Sequence, residues 1–135
     1  MFVTVWLGIL TISTGRVVAA NAGHEYPFLR GSDGSFKLLK DPHGLVIGAM
    51  EEMRYTDYEF TLEKGGTLFV YTDGVTEATN TELELFGTVR TLEALNEAKD
   101  KPLKELLDHV KGNVDRFKGE APQFDDLTMM AVTRF

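Results

Sequence analysis

Apolar residues in this chain follow two different spacings, one typical of strands and one typical of helices. Up to residue 71 they come in short runs rich in β-branched and aromatic side chains, the composition of buried or half-buried strands. Between residues 88 and 118 they recur at helical spacing, and a last apolar run closes the chain. We therefore predict an α+β fold of antiparallel β-sheets flanked by helices.

Turns rich in glycine, serine and aspartate separate the predicted strands. The strands are expected at 2–12, 16–21, 26–30, 36–39, 55–62, 67–71 and 127–135. We expect those in the first forty residues to form an antiparallel meander, and we expect DPHGLVIG, at 41–48, to be a loop that crosses a surface.

The first apolar run, 2–12, is interpreted as a buried strand. It lacks the basic start and the cleavage site of a signal peptide, and it is far shorter than the ~20 apolar residues that span a bilayer. We therefore expect no membrane insertion. A chain that opens directly on a buried strand is typical of the later part of a larger domain.

Two amphipathic helices are predicted after residue 88, preceded by a short helical turn at 75–79. Asp100 and Pro102 mark the start of the second helix. The apolar positions of the first helix are Val89, Leu92, Leu95 and Ala98, and those of the second are Leu103, Leu106, Leu107, Val110, Val114 and Phe117.

Composition narrows the classes of function. A chain of 135 residues that is 43% hydrophobic suits one domain with one core. The net charge is -7 and no run of Lys or Arg is dense enough to follow a phosphate backbone, so nucleic acid is not an expected partner. The chain has no cysteine, which excludes disulfides and thiolate metal sites and fits a reducing compartment.

Two aspartate corners each adjoin an apolar strand. Asp73-Gly74 follows the strand at 67–71, and Asp125-Asp126 precedes the last strand. Neighbouring antiparallel strands would bring these corners together, and hard divalent cations prefer carboxylate oxygens. The alternative is that the aspartates only form turns, since Asp-Gly is a common turn pair. Glycine at 74 would permit positive φ or a close approach of the backbone.

Four motifs in sequence carry a family resemblance. NAGH at 21–24, YTDGVTEA at 71–78, LFG at 85–87 and FDDLTMM at 124–130 resemble the later motifs of SpoIIE-type (RsbU-like) serine phosphatases. That family belongs to the metal-dependent PPM, or protein phosphatase 2C-like, superfamily. The resemblance extends over essentially all 135 residues.

The resemblance implies a fold, a cofactor and site residues. The fold would be part of an α-β-β-α sandwich that, when complete, holds two Mn²⁺ or Mg²⁺ ions. Asp73 and Asp125 would be metal ligands, Asp126 would adjoin the second, and Gly74 would form the corner that the metal approaches.

Further residues of these motifs receive weaker roles. Glu77 would at most support a ligand, and His24 is either a proton donor near the site or a structural turn residue. His43, in a loop, and His109, on a helix flank, are less promising. The segment GLVIG at 44–48 is similar to the family's GLPLG, with Val46 in place of proline.

Two motifs of the family are missing from this chain. A first acidic motif (GGDxxD-like) and a GHG-type motif belong to the amino-terminal half of such domains. We therefore expect residues 1–135 to be the C-terminal part of one domain, with one weak metal site or none.

The expected function follows from the resemblance. The complete protein would act in the cytoplasm on a phosphorylated regulatory protein, an anti-sigma-factor antagonist, while this chain alone would be inactive or nearly so. Uncovered sheet edges would favour a homodimer. The alternative is a non-catalytic pseudophosphatase or partner-binding module.

Overall fold

The computed structural model describes residues 1–135 as two four-stranded sheets and three helices. The strands are β1 (Val5–Leu10), β2 (Arg16–Ala22), β3 (Phe28–Arg30), β4 (Lys37–Leu38), β5 (His43–Gly44), β6 (Tyr58–Thr61), β7 (Thr67–Tyr71) and β8 (Met129–Thr133). The helices are α1 (Asp73–Thr76), α2 (Gly87–Glu97) and α3 (Leu103–Lys118). The predicted α+β class is confirmed.

The strands of the first forty residues do not form one meander, so that prediction was wrong. In the first sheet, β2 pairs with β1 along its length and also with β5 and β6. The second sheet has the order β4-β3-β7-β8. The chain therefore crosses to the second sheet after β2 and returns after β4. Alternating side chains show which face of a strand is buried but not which sheet the strand joins.

The segment 41–48 is not entirely a loop. It contains β5, which pairs in parallel with the end of β2, His43 lying opposite Asn21. All other strand pairs are antiparallel. A two-residue strand rich in glycine and flanked by proline has too little apolar pattern to be predicted from sequence.

The core has two parts, one between the sheets and one beneath the helices. Val17 and Ala19 of β2 belong to the same buried cluster as Leu68 of β7, and this cluster lies between the sheets. A larger cluster joins Phe28 and Phe69 of the second sheet to residues of α2 and α3, including Leu95, Leu106, Val110 and Val114. The molecule thus has three layers: helices, the second sheet and the first sheet.

The other face of the first sheet has no covering layer. Leu7 and Ile9 of β1 are 59% and 65% exposed, whereas Trp6 and Leu10, on the alternate positions, pack against the cluster between the sheets. The interpretation of 2–12 as a buried strand is therefore wrong for one of its two faces. In a four-layer sandwich this is the face that a further helical layer would cover.

The helices begin near their predicted positions. Pro102 directly precedes α3, and Gly119 follows it with a φ of 58°. The short helix α1 begins at Asp73, two residues earlier than expected. None of the helices combines the length and apolar character needed to cross a membrane.

Candidate metal centre

The two aspartate corners lie side by side because Thr72 hydrogen-bonds to both ends of the facing segment. Its backbone N–H donates to the carbonyl of Thr128 at 3.0 Å, and its hydroxyl donates to the carbonyl of Asp126 at 3.1 Å. The N–H of Thr128 donates in turn to the Thr72 hydroxyl at 3.1 Å. These bonds continue the β7–β8 pairing, in which Tyr71 lies opposite Met129. The structure therefore brings the backbone of both corners together.

Gly74 is in close contact with the second corner. A methyl group placed on its Cα would overlap the carbonyl oxygen of Asp126 and would lie 3.1 Å from the Cα of Leu127. Gly74 is helical rather than at positive φ. Of the two reasons for a glycine here, the close approach applies and the positive φ does not.

The aspartate side chains differ in their surroundings. Asp73 is half-buried as the first residue of α1, while Asp125 and Asp126 are exposed. One carboxylate oxygen of Asp125 accepts the N–H of Asp126 at 2.8 Å, so Asp125 also stabilises its own turn. Both readings of this corner, turn former and candidate ligand, are compatible with that bond.

The donor set fits a hard divalent cation in type but not in number. Carboxylate oxygens suit Mn²⁺ and Mg²⁺, which also keep bound waters. No three or more His, Cys, Asp or Glu side chains of this chain are grouped so that they could hold a metal ion. Asp73 and Asp125 could therefore supply part of a coordination shell whose other ligands come from elsewhere.

A cavity of about 480 Å³ adjoins the corners. Gly74 and Asp125 form part of its wall beside Glu77, and Lys118 and Phe124 line it further out. Phe124 is 73% exposed. A group bound near Asp125 would thus have space beside it that offers an apolar ring, an ammonium and carboxylates.

Glu25 is a carboxyl group near the first corner that the sequence did not reveal. In the β3–β7 pairing Phe28 lies opposite Phe69, so the chain that precedes β3 runs beside the end of β7. Burial raises the pKa of the Glu25 carboxyl, and the charges of Asp73 and Glu77 raise it further. The Thr76 hydroxyl and the charge of His24 lower the pKa of Glu25, which offsets part of this rise. Glu25 therefore adds a carboxylate next to Asp73.

Two buried hydroxyl groups lie near Glu25 without a hydrogen bond of normal geometry, those of Tyr71 and Thr76. Burial raises the pKa of Tyr71, and the charge of Glu25 adds to this. Unpaired buried polar atoms are uncommon in folded proteins because they cost free energy. The end of β7 and the last residue of α1 thus each hold a buried hydroxyl that lacks a well-formed hydrogen bond.

The histidines have structural contacts. The backbone N–H of His24 donates to the side-chain oxygen of Asn21 at 2.8 Å, and its Nδ1 lies 3.0 Å from the Thr4 hydroxyl. Nδ1 of His43 lies 3.5 Å from Asp41 in a different part of the first sheet, and His109 pairs with a glutamate of α2 at 2.8 Å. Of the three, only His24 directly precedes Glu25 in the chain.

The family model described as Stage II sporulation protein E (SpoIIE) matches residues 1–135. The chain belongs to the SpoIIE family. The chain is similar to the phosphoserine phosphatase RsbU of Bacillus subtilis, with 33% identity over 57% of this chain. Protein IcfG of Synechocystis sp. is 36% identical over 99% of it. The chain spans only 21% of IcfG and 23% of RsbU.

Solved structures show the same fold. The RsbU and RsbW domains of a Mycobacterium tuberculosis protein match 97% of the chain with a TM-score of 0.81 and 24% identity, and the chain covers 36% of them. The PP2C domain of SiaA from Pseudomonas aeruginosa gives a TM-score of 0.74 at 23% identity. The match covers 88% of this chain and 46% of the SiaA chain. The Mn-presoaked SpoIIE phosphatase domain of Bacillus subtilis gives a TM-score of 0.73 at 17% identity. The match covers 96% of this chain and 56% of that domain. This SpoIIE-family chain therefore has part of the fold of PP2C-like phosphatase domains.

Proposed function

We propose that residues 1–135 are the C-terminal part of a SpoIIE-type domain that hydrolyses phosphoserine or phosphothreonine on a regulatory protein. The substrate we propose is an anti-sigma-factor antagonist, and the compartment is the cytoplasm, with which the absence of cysteine is compatible. One observation carries the proposal: in a chain matched throughout by the family model, Thr72 holds the two aspartate corners together.

In this proposal Asp73 and Asp125 hold Mn²⁺ or Mg²⁺, with Asp126 at the adjoining position. When bound, such ions would acidify a water and neutralise charge on the phosphoryl oxygens. The chain's own contribution is to fix the ligands. The Thr72 bonds set the spacing of the corners, and the small Gly74 lets the second corner approach.

The cavity beside Asp125 would receive the polypeptide next to the phosphorylated residue. Phe124 offers an apolar contact there, and Lys118 offers a cation to an acidic side chain of the substrate. The walls Glu77 and Asp125 are acidic, so a free phosphate without metal would be repelled from them. Binding of the phosphorylated substrate is therefore expected to require the divalent cation.

The chain alone is expected to be inactive or nearly so, because its carboxylates do not form a complete metal site. The test compares the 135-residue chain with the longest natural protein that contains it, measuring Mn²⁺-dependent phosphate release from a phosphorylated protein. The longer protein should be active and the short chain should not. Robust Mn²⁺-dependent hydrolysis by the short chain would refute this.

The ligand roles are tested in the longer protein. Asp73→Asn and Asp125→Asn should each lower activity more than about 100-fold, because losing even a supporting residue of a metal site costs 10- to 100-fold. Asp57→Asn, a change at an exposed aspartate in another part of the fold, is the matched control and should leave activity unchanged. Full activity in Asp73→Asn or Asp125→Asn would remove that residue from the centre.

A non-catalytic partner-binding module is the second candidate function. The specific observation in its favour is that no metal-binding group of three or more side chains is present in this chain. Calorimetry with Mn²⁺ discriminates the two. Weak binding that strengthens in the longer protein supports the phosphatase, whereas no binding in either supports the module.

A further inference from the structure

Asp41 is a carboxylate buried between structural elements without Lys or Arg beside it. Its side chain has no exposed surface. Both carboxylate oxygens accept the side-chain amide of Asn21 at 3.2 Å, and one accepts the Tyr58 hydroxyl at 2.5 Å. The Tyr58 hydroxyl itself accepts the Trp6 indole N–H at 2.8 Å. Burying a charged carboxylate costs several kcal/mol unless hydrogen bonds compensate, so these partners hold Asp41 in one position.

The pair Asn21–Asp41 joins the two places where the chain changes sheet. Asn21 lies near the end of β2, just before the chain crosses to the second sheet, and Asp41 lies on the return path between β4 and β5. The pairing of Asn21 with Trp6 in β1 puts them on the same face of the first sheet. Because Trp6 packs against the cluster between the sheets, this is the inner face. The hydrogen bonds therefore fix one crossover against the other.

The same asparagine shapes the turn that follows it. Its amide nitrogen donates to Asp41 while its amide oxygen accepts the backbone N–H of His24 at 2.8 Å. A carboxylate can only accept and a backbone N–H can only donate, so Asp41 and His24 together fix which end of the Asn21 amide faces the turn. Gly23, at a φ of 68°, packs so closely on Val46 that a methyl group would lie 2.5 Å from its side chain. The turn is thus held from both sides.

This turn leads directly to the candidate metal centre. It continues into β3, whose Phe28 pairs with Phe69 and stacks on the ring of Tyr71 at 5.4 Å between centroids. The turn is therefore joined, through the residues just before Phe28, to the strand that packs against the end of β7, directly before the first corner. A shift of the turn would be passed along β3 to this end of β7.

We propose that Asp41 is a positioning residue of the candidate centre: through Asn21 it fixes the turn at 22–25 against the corner at 72–74. This inference rests on the proposed metal role of Asp73. Asp41 does not itself reach the centre, and its effect passes through the orientation of one amide and the path of one turn.

The test exchanges the two side chains. Asp41→Asn keeps one acceptor oxygen but sets a second NH₂ donor against the NH₂ of Asn21, which in the wild type lies 3.2 Å from both oxygens of Asp41. Asn21→Asp leaves two carboxylates facing each other, whereas the double variant Asn21→Asp/Asp41→Asn restores one amide donating to one carboxylate. Residue 21 can still accept the His24 N–H in the double variant, and residue 41 can still accept the Tyr58 hydroxyl. The swap therefore rebuilds the network with its polarity reversed.

Two readouts are taken. The first is the ¹H–¹⁵N NMR shifts of residues 22–25 and 72–76 in the 135-residue chain without metal. The second is the Mn²⁺ affinity, by calorimetry, of the longest natural protein that contains the chain, because the chain alone lacks a complete set of ligands. Each single variant should shift both groups of amides and weaken Mn²⁺ binding about tenfold, the low end of the effect of residues that support ligands. The double variant should recover the affinity to within about threefold. Asp57→Asn, at an exposed aspartate, should change neither readout.

A merely stabilising role would lower the unfolding temperature without shifting residues 72–76 or changing the affinity of the folded protein. That result would overturn the proposal. If a single variant does not fold, Tyr58→Phe removes one hydrogen bond to Asp41 and keeps the amide pair, and it should shift the same amides by a smaller amount. Unchanged amides at 72–76 in Tyr58→Phe would then count against the proposal.

The outcome also separates this inference from the proposed function. If the longest natural protein does not bind Mn²⁺ in any form while Asp41→Asn still shifts residues 72–76, the metal role of Asp73 fails and the link from Asp41 to the corner stands. If Mn²⁺ binds wild type and both single variants equally, the metal role stands and the positioning role of Asp41 fails.

Discussion

Gly74 lets two backbone segments touch at the candidate centre, and a side chain there should separate them. In Gly74→Ala the new methyl group would overlap the Asp126 carbonyl oxygen, which belongs to backbone and cannot move aside as a side chain can. Overpacking of this kind costs roughly 1–3 kcal/mol. We therefore expect Gly74→Ala to lower the free energy of unfolding by about that much, measured by urea denaturation, and to weaken Mn²⁺ binding.

Gly112 provides the matched control in the same chain. It lies inside α3, where a methyl group would meet only the end of the Arg116 side chain at 3.4 Å. Alanine is favoured over glycine in a helix interior by about 0.8–1 kcal/mol. Gly112→Ala should thus raise the free energy of unfolding. Equal effects of the two substitutions would contradict the close contact at Gly74.

Glu25 should make stability depend on pH in a defined direction. Burial and the neighbouring carboxylates raise its pKa in the folded chain above the unfolded value of about 4.3. The folded state then binds the proton more tightly, so the stabilisation is complete below the unfolded pKa and is lost as pH rises through the folded pKa. Ionisation of Glu25 is therefore less favourable in the folded chain than in the unfolded chain.

Replacing Glu25 by glutamine removes the ionisable carboxyl and should therefore change how stability depends on pH. Without metal, Glu25→Gln should unfold at a higher temperature than wild type at pH 7, and the difference should shrink or reverse toward pH 4. Glu120→Gln, at an exposed position after α3, should follow wild type at both pH values. A constant difference across the range would show that ionisation of Glu25 is not the cause. Thermal unfolding followed by circular dichroism is sufficient.

The sequence predicted part of the candidate centre for a physical reason. Asp73 and Asp125 each adjoin an apolar strand, and the positions of β7 and β8 could be read from their composition, so their proximity required only that the strands pair. Glu25 could not be found in this way. Its closeness to Asp73 depends on β3 lying next to β7 in the second sheet, a pairing between segments about forty residues apart. A glutamate after His24 has no distinguishing pattern of its own.

The helices could be predicted better than the sheets because their contacts are local. The apolar stripe of α3 is buried as expected at Leu106, Val110 and Val114, and β7 has the predicted bounds. Two features could not be predicted because they depend on residues far apart in the chain: the exchange of strands between sheets and the exposure of one face of β1. In α2 the local pattern also misplaced one residue, since Val89 belongs to the predicted apolar set but is 69% exposed.

Helix packing on the second sheet should contribute strongly to stability. Leu106 of α3 is 1% exposed and belongs to the main buried cluster. Truncation of a buried leucine to alanine typically costs 2–5 kcal/mol, so we expect Leu106→Ala to lower the free energy of unfolding by roughly that amount. Val89→Ala on the exposed face of α2 should be neutral or slightly stabilising, because alanine has the higher helix propensity. Comparable losses in both variants would contradict the assigned faces.

The three layers leave one face of the first sheet without a covering layer. On the outer face of the first sheet, β1 exposes Leu7 and Ile9, and the apolar residues Phe2 and Ile12 on either side of the strand are also exposed. Contiguous exposed apolar surface on a soluble domain usually marks an interface. A covering helical layer, as in the four-layer sandwich, or a second copy of the chain would each remove this surface from water.

In the absence of another covering layer, we expect the 135-residue chain to form a dimer or larger assembly through this face. Each Å² of apolar surface that association removes from water contributes about 25 cal/mol to its free energy. A lysine in place of the exposed Ile9 would put a charge in the middle of this contact, where burying it is costly. Ile9→Lys should therefore shift the chain toward monomer in sedimentation velocity at tens of micromolar, roughly the range of weak association. Thr14→Lys adds the same charge in the exposed turn after β1 and should leave the degree of association unchanged. A monomeric wild type, or an assembly that survives Ile9→Lys but not Thr14→Lys, would show that the outer face of β1 does not mediate association.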